Sequence, residues 1–255
     1  MADWDAGTYS RVSTPHRVWG PAVMARLELR GDETVLDAGC GAGDVTRQLA
    51  ELVPNGRVIA VDGSPAMVAK AADTLADLAP RVSVRHVDLL ELELDEPVDA
   101  VFSSAVFHWI ADHERLFARL AAALRPGGRL AAQCGGFGNI AAVVAAADAV
   151  ATEPAYAAAL ADARKSVHFA TAEDTEARLA GAGLEGRAWL VPDDVLLPAG
   201  QEAERYMATV VLREHAALLD ESLRPGFLRA VAERLTEDGT VRLDYVRLNI
   251  DAIRA

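Results

Sequence analysis

Within ETVLDAGCGAGDVTRQLA, residues 33–50, Gly39, Gly41 and Gly43 fall inside five positions, between an apolar run and a run with helical spacing. Glycine is costly inside regular structure, and its use here fits a turn at which a ligand approaches the backbone closely. Asp62 ends RVIAVD, about 20 residues downstream, where a carboxylate can accept from ribose hydroxyls. It could equally cap the helix that follows. Together the two signals point to a nucleoside cofactor. A dinucleotide reads less well. Its fingerprint is G-x-G-x-x-G, whereas GCGAG is followed by Asp44, an acid set awkwardly beside a pyrophosphate on a helix N-terminus. Asp37 adds a carboxylate just before the loop. This acidic setting tolerates a cofactor that carries positive charge.

A second group of residues could act on the other reactant. His108 and Trp109 follow the fourth apolar run, at the sheet edge where α/β proteins bind ligands. The bland alternative is a satisfied core histidine beside a core aromatic. His113 opens a charged helix and reads as a surface residue. Arg164, Lys165 and His168 form a basic cluster in an otherwise acidic region. It is either a solvated helix face or an anchor for a substrate carboxylate. Trp4, Tyr9 and Trp19 make the first 20 residues rich in aromatics, unusual for a frayed terminus, so this segment is expected to dock. Cys40 and Cys134 have no metal-ligand spacing and form no disulfide framework. Nothing positions a base to activate Cys40, and no metal site is expected.

The elements that must hold these residues alternate regularly. TVLDA, RVIAVD, RVSVRHVD, VDAVFSS and RLAAQC read as short strands. DVTRQLAELV, SPAMVAKAADTLADLA and DHERLFARLAAAL read as the helices between them, with Ser64 as N-cap and Pro65 at the first helical position. A helix is also expected over residues 21–29. Strand and helix in alternation imply a parallel sheet covered on both faces. Residues 138–182 are alanine-rich and helical in pattern, and GRAWLVPDDVLL brings a strand back. The expected fold is α/β, a doubly wound, mostly parallel seven-stranded sheet with a helical cap inserted after the fifth strand. Its divisions are an N-terminal lid and first helix over 1–30, a cofactor-binding core over 31–137, a helical cap with a returning strand over 138–240, and a terminal core strand over 241–255.

Composition bounds the partners. The 255 residues are 51% hydrophobic, enough for a sizeable core in one domain, and carry a net charge of −13. That field repels nucleic-acid phosphates and anionic membrane surfaces, so neither is expected as a partner. NIAAVVAAADAVA is too short to span a bilayer, and MADWDAGTYSR lacks a secretory core, so a cytoplasmic protein is expected. Oligomeric state is not legible.

VLDAGCGAG resembles the first motif of the class I S-adenosylmethionine-dependent methyltransferases. The resemblance continues through VIAVDGSPAMV, VRHVDLLEL, DAVFSSAVFHWI and LRPGGRLAAQ, in the family's order, and so covers residues 33–134. DWDAGTYSR, FHWI and YVRLNIDAIRA are similar to the trans-aconitate methyltransferase-like branch. The resemblance implies a Rossmann-like core and S-adenosylmethionine as cofactor, with S-adenosylhomocysteine as product. It implies that the backbone of Gly39, Cys40 and Gly41 holds the methionine part and that Asp37 supports the loop. Asp62 would bind the ribose. Gly63, Ser64 and Met67 would border the adenine, and Asp88 and the Leu89 backbone would recognise its amino edge. Ser104 and Ala105 would face the reacting methyl, with His108 and Trp109 nearby and the Trp4–Tyr9–Trp19 segment closing over the pocket. The implied activity is methylation of a small molecule, on a carboxylate or hydroxyl. A carboxylate acceptor needs no general base, whereas a hydroxyl or carbon acceptor would make His108 the base. A binder of the cofactor without catalysis, or a nicotinamide oxidoreductase on the same fold class, remains open at this point.

Overall fold

A computed structural model describes residues 14–161 and 167–255, with side chains described from Trp19 onward. The first half alternates as its sequence pattern predicts. The elements are α1 (Thr14–Ala25), β1 (Thr34–Ala38), α2 (Asp44–Leu52), β2 (Arg57–Asp62), α3 (Pro65–Thr74), β3 (Val82–His86), β4 (Val98–Ser104), α4 (His113–Ala123) and β5 (Leu124–Gly135). The second half contains α5 (Ala141–Ala151), α6 (Ala157–Leu160), α7 (Ala172–Gly181), β6 (Leu184–Pro192) and β7 (Val195–Pro198). It ends with α8 (Gln201–Tyr206), a π-helical turn (Met207–Val211), α9 (Arg213–Leu218), α10 (Arg224–Arg234), β8 (Thr236–Glu237), β9 (Thr240–Leu243) and β10 (Val246–Arg254).

Seven strands form one sheet in the order β3-β2-β1-β4-β5-β10-β6. The first five pair in parallel and β10 runs antiparallel to both its neighbours. The successive residues Val35 and Leu36 are both fully buried, because helices cover both faces of the sheet. One face packs against α1, α2 and α3 through Val23, Leu27, Leu49 and Ala71. The other packs against α4 and α7 through Leu116, Phe117, Leu120 and Leu179. β1 pairs with β2 on one side and β4 on the other, so the strand order reverses there. The crevice beyond the C-terminal ends of β1 and β4 is where such a sheet offers a ligand site.

Three boundaries differ from the sequence reading. The first helix starts at Thr14 and runs through Pro21, which forfeits one backbone bond. VRLDYVRLNIDAI is two strands: β9 belongs to a small sheet of order β7-β9-β8, and the chain crosses to the main sheet at Asp244 and Tyr245. The cap expected over residues 138–240 is interrupted, since α7 and β6 lie within it and belong to the main body. β6 pairs with β10 from Leu184↔Arg254 to Val246↔Pro192, and this pairing draws α7 onto the sheet. The remaining helices come from two stretches that share one buried cluster, including Val143, Ala147, Tyr206, Phe227, Val241 and Tyr245, with Trp19 of α1. Among the described residues no helix is long and apolar enough to cross a membrane.

α1 is fastened to the sheet by Arg26. Its Nη1 donates to Asn249 Oδ1 at 2.7 Å, its Nη2 donates to the Ala132 carbonyl at 2.7 Å, and its Nε pairs with Asp251 at 2.7 Å. Arg26→Met removes all three donors and leaves Asp251 with the longer Arg187 pair at 3.6 Å. We expect a loss of about 1–3 kcal/mol of stability in urea denaturation, since hydrogen bonds to charged groups are involved.

Candidate active site

The loop after β1 is tied to the end of β2. The Val61 carbonyl accepts both the Gly39 and Cys40 N–H groups at 2.9 Å. Asp62 Oδ2 accepts the Gly41 N–H at 2.9 Å, and Oδ1 accepts the Ser64 N–H at 2.8 Å. Asp62 is therefore not the cap of α3. Ser64 takes that place, its Oγ accepting the Met67 N–H at 3.2 Å. The glycines have different reasons. Val106 stands where a Cβ at Gly39 would go, whereas a Cβ at Gly41 or Gly63 would meet no protein atom within 4 Å. Gly39 and Gly41 also hold positive φ, of 94° and 54°.

These ties frame a cavity of about 750 Å³. Gly39, Gly41, Asp62, Gly63, Ser64, Met67, Asp88, Leu89, Ser104 and Ala105 all line it. Ten residues that sequence reading assembled from four separate segments thus meet at one wall. Three carboxylates, Asp62, Asp88 and Asp112, line the space. The Ser104 hydroxyl is buried with no hydrogen-bond partner among the described residues, an unsatisfied polar atom of the kind a ligand completes. The bare Gly41 and Gly63 backbone admits close approach. This donor and acceptor set fits a nucleoside cofactor with a cationic centre, and the volume lies in the usual range for small-ligand sites. Asp88 Oδ1 also accepts the Leu90 N–H at 2.9 Å, so it orders its own turn.

Asp37 and Cys40 are among the candidate residues that do not line this cavity. Asp37 is buried behind the loop, where its Oδ2 accepts the Thr46 hydroxyl at 2.7 Å. Burial pushes its carboxyl up to about 7, opposed by the Thr46 hydrogen bond and helped by the Asp62 charge. Burial also pushes the Cys40 thiol up, which leaves it inert as a nucleophile.

A second cavity of about 400 Å³ adjoins the first, sharing Ala105, Trp109 and Arg213 with it. Its wall is mainly apolar, with Phe137 and Ile140 from the turn between β5 and α5, Val144 from α5 and Phe169 from the chain before α7. His108 lines it and is buried. The Gly135 N–H donates to His108 Nδ1 at 3.2 Å, and the His168 N–H donates to the His108 carbonyl at 2.8 Å. The ring lies 4.9 Å from that of Trp109.

The remaining candidates are placed differently. Trp4, Tyr9 and Arg164 lie outside the described residues. Trp19 lines neither cavity. It is buried, and its indole N–H donates to Asp193. His168 also lines neither cavity, and its ring packs 4.8 Å from His113. His113, read as a surface residue, is buried because its Nε2 bonds the Phe107 carbonyl at 2.9 Å and its ring packs on Phe117. Desolvation lowers its pKa. Sequence reasoning missed Val106 and Arg213 in the first cavity, and Phe137, Asn139, Tyr245 and Arg247 in the second. Arg247 had a signal, as the one cation alternating with Val246, Leu248 and Ile250 in an apolar strand. Among the described residues no group of His, Cys, Asp and Glu is arranged to hold a metal ion.

The Asp37 shift has a defined sign. A carboxyl raised from its ordinary 3.8 to about 7 binds more protons in the folded state between those values, so its contribution to stability falls as pH rises through them. Asp37→Asn removes this dependence. Relative to the parent, the variant should gain on the order of 1 kcal/mol per pH unit from about pH 4 to 7 in denaturant titrations. A constant difference across that range would contradict the assignment.

Comparison with known proteins agrees with this geometry. The family model described as "Methyltransferase domain" matches residues 35–128. The trans-aconitate 2-methyltransferase of Methylobacterium nodulans is 31% identical over 262 residues, covering 100% of this chain and 99% of that protein. The trans-aconitate 2-methyltransferase of an Acidovorax species is 35% identical over 133 residues, 52% of this chain and 50% of that protein, so about half of each is matched. In three dimensions the YcgJ protein from Bacillus subtilis superposes with a TM-score of 0.65 at 17% identity, over 94% of this chain and 99% of that one, a likeness of fold. A nicotinamide oxidoreductase and a binder without catalysis find no support in these matches. The chain belongs to the class I S-adenosylmethionine-dependent methyltransferases, and within them it resembles the trans-aconitate 2-methyltransferases.

Proposed function

We propose that the chain methylates a carboxylate oxygen of a small organic acid bound in the second cavity, giving a methyl ester. The observation that carries this is the state of His108. Its Nδ1 lone pair already accepts the Gly135 N–H at 3.2 Å. A neutral imidazole used in that way carries its proton on Nε2 and presents a donor. A donor can hold an oxygen that arrives ionised, but it cannot take a proton from a hydroxyl. A carboxylate is ionised at neutral pH and requires no base. The full-length relative supports the same reading, since its name places the methyl group on trans-aconitate.

S-adenosylmethionine, the family's cofactor, supplies a sulfonium methyl; the C–O bond forms as the S–CH3 bond breaks, and the bonding pair stays on sulfur as a neutral thioether. On our reading Asp62 holds the ribose, and Gly63, Ser64, Met67, Asp88 and Leu89 surround the adenine. Gly39 and Gly41 receive the methionine part with Ser104 and Ala105, and Asp37 and Cys40 set the loop from behind. On the same reading the two reactants meet at the wall the cavities share, Ala105, Trp109 and Arg213. Alignment and water exclusion are the protein's main contributions to such a transfer. The apolar lining of the second cavity serves the latter.

Two experiments test this. Gly41→Ala should fold, at a cost of about 1–2 kcal/mol for a non-glycine residue in the left-handed region. Its methyl should weaken S-adenosylhomocysteine binding by tenfold or more in calorimetry, an affinity change of about 1.4 kcal/mol. Gly39→Ala should instead lose stability sharply, because Val106 fills that space. Unchanged affinity in Gly41→Ala would remove the loop from the site. For the reaction, turnover with methyl-labelled cofactor and small carboxylic acids, trans-aconitate among them, should give a product that releases labelled methanol in mild alkali. Label that resists alkali would rule out an ester. His108→Gln, which keeps a donor, should retain more activity than His108→Ala, with a difference of about tenfold. A rate that rises between about pH 5 and 8 in the parent and not in His108→Gln would make His108 a base instead.

A further inference from the structure

Arg247 brings a buried cation to the second cavity. The residue is 2% exposed and lines that cavity from β10. Among the described residues only its Nε–H has a hydrogen-bond partner, Gln133 Oε1 at 3.3 Å, and its Nη2 is buried with none. The Gln133 amide cannot turn to serve it differently, because its Nε2 donates to Asn249 Oδ1 at 3.1 Å. Asn249 Oδ1 also accepts from Arg26 Nη1, and Arg26 is paired with Asp251. The polar row along β5 and β10 therefore neutralises Arg26 at one end and reaches Arg247 at the other with only a neutral amide. The Trp19 ring lies 4.0 Å from the guanidinium carbon and that of Tyr245 lies 5.9 Å away, which fixes the plane of the fork. Asp193, the acid whose charge acts on Arg247, gives an oxygen to the Trp19 indole N–H.

A desolvated guanidinium with open N–H groups is costly unless an anion completes it, and a planar fork matches a carboxylate. Arg247 is not on the wall shared with the first cavity; Ala105, Trp109 and Arg213 are. A carboxylate held by a guanidinium also has its lone pairs drawn into hydrogen bonds and is a poor nucleophile. We propose that Arg247 is the specificity residue of the acceptor cavity and binds a carboxylate other than the one that is methylated, so that the preferred acceptors are small dicarboxylic or higher acids. This rests on the carboxylate-methylation reading above. Trp19 and Gln133 act as positioning residues for it, which gives α1 a part in the site.

The test compares succinate, glutarate and adipate, each with its half-amide, which keeps the size and removes one charge. In the parent, kcat/KM for at least one diacid should exceed that of its half-amide by about 30-fold or more, as for a buried hydrogen-bonded charge pair. Arg247→Gln should bring that ratio near one, mainly through KM, and leave S-adenosylhomocysteine affinity unchanged. Arg247→Met, whose chain fills the space under Trp19, is the second neutral variant should the glutamine variant fold poorly. Equal losses for diacid and half-amide, or an unchanged ratio, would overturn the assignment while an alkali-labile product left the ester reading intact. Should no acid be methylated, the ester reading fails by itself. Calorimetry of the same pairs on the S-adenosylhomocysteine-loaded protein then decides for Arg247. A diacid preference lost in Arg247→Gln supports it, and no preference in the parent overturns it.

Discussion

Asp62 accepts the Gly41 N–H at 2.9 Å and the Ser64 N–H at 2.8 Å, and the whole first cavity is framed around those two bonds. They join the loop after β1 to the turn before α3, so that two chain segments form one rim. The Val61 carbonyl adds two further bonds to the same loop. With its side-chain oxygens engaged by backbone donors, the carboxylate has little freedom to move. Behind it, Asp37 is buried and, with its carboxyl raised to about 7, is partly protonated near neutrality. A second full charge at that depth would repel Asp62, so the inner acid serves the loop by a hydrogen bond with Thr46.

The second cavity has a different origin. Its walls come from the turn after β5, α5, the stretch before α7, the π-helical turn and the start of β10, most of them remote from one another in sequence. They are gathered by one apolar cluster that also holds Trp19. Trp19 thus links the core of the acceptor side to α1, and Arg26, seven residues on, anchors α1 to the sheet. The position of one aromatic ring over Arg247 depends on a helix whose fastening lies elsewhere on the same strand pair.

This difference explains what the sequence made legible. The cofactor wall is built from turns that directly follow strands, and each such turn carries a local signature: glycines at 39 and 41, an acid at 62, an acid at 88, small residues at 104 and 105. Pattern and spacing place the glycines and Asp62, and the family resemblance adds Asp88, Ser104 and Ala105, in each case without knowledge of long-range packing. The acceptor wall is made by tertiary contact between segments with no shared local signature. His168 was a reasonable candidate by charge, yet its ring turns towards His113. Arg247 was visible as a cation in an apolar alternation, but alternation assigns a face and not what that face meets. The interruption of the expected cap has the same origin: the pairing of β6 with β10 joins residues remote in sequence, from Pro192 with Val246 to Leu184 with Arg254.

The two cavities also differ in sign. Asp62, Asp88 and Asp112 line the first, Arg247 lines the second with Glu214, and Arg213 stands on the wall they share. A sulfonium cofactor and an anionic acceptor would each be stabilised in its own compartment and disfavoured in the other. The chain's net charge of −13 works against an anionic substrate at long range. That repulsion is screened beyond about 8 Å at physiological salt, whereas a guanidinium inside a low-dielectric cavity acts at contact with little screening. An acidic protein can therefore select an acidic substrate, provided the cation it uses is buried. On the proposed reading, burial of Arg247 is then the condition for its function, and the polar row that ends on Gln133 is what holds the guanidinium in place without cancelling its charge.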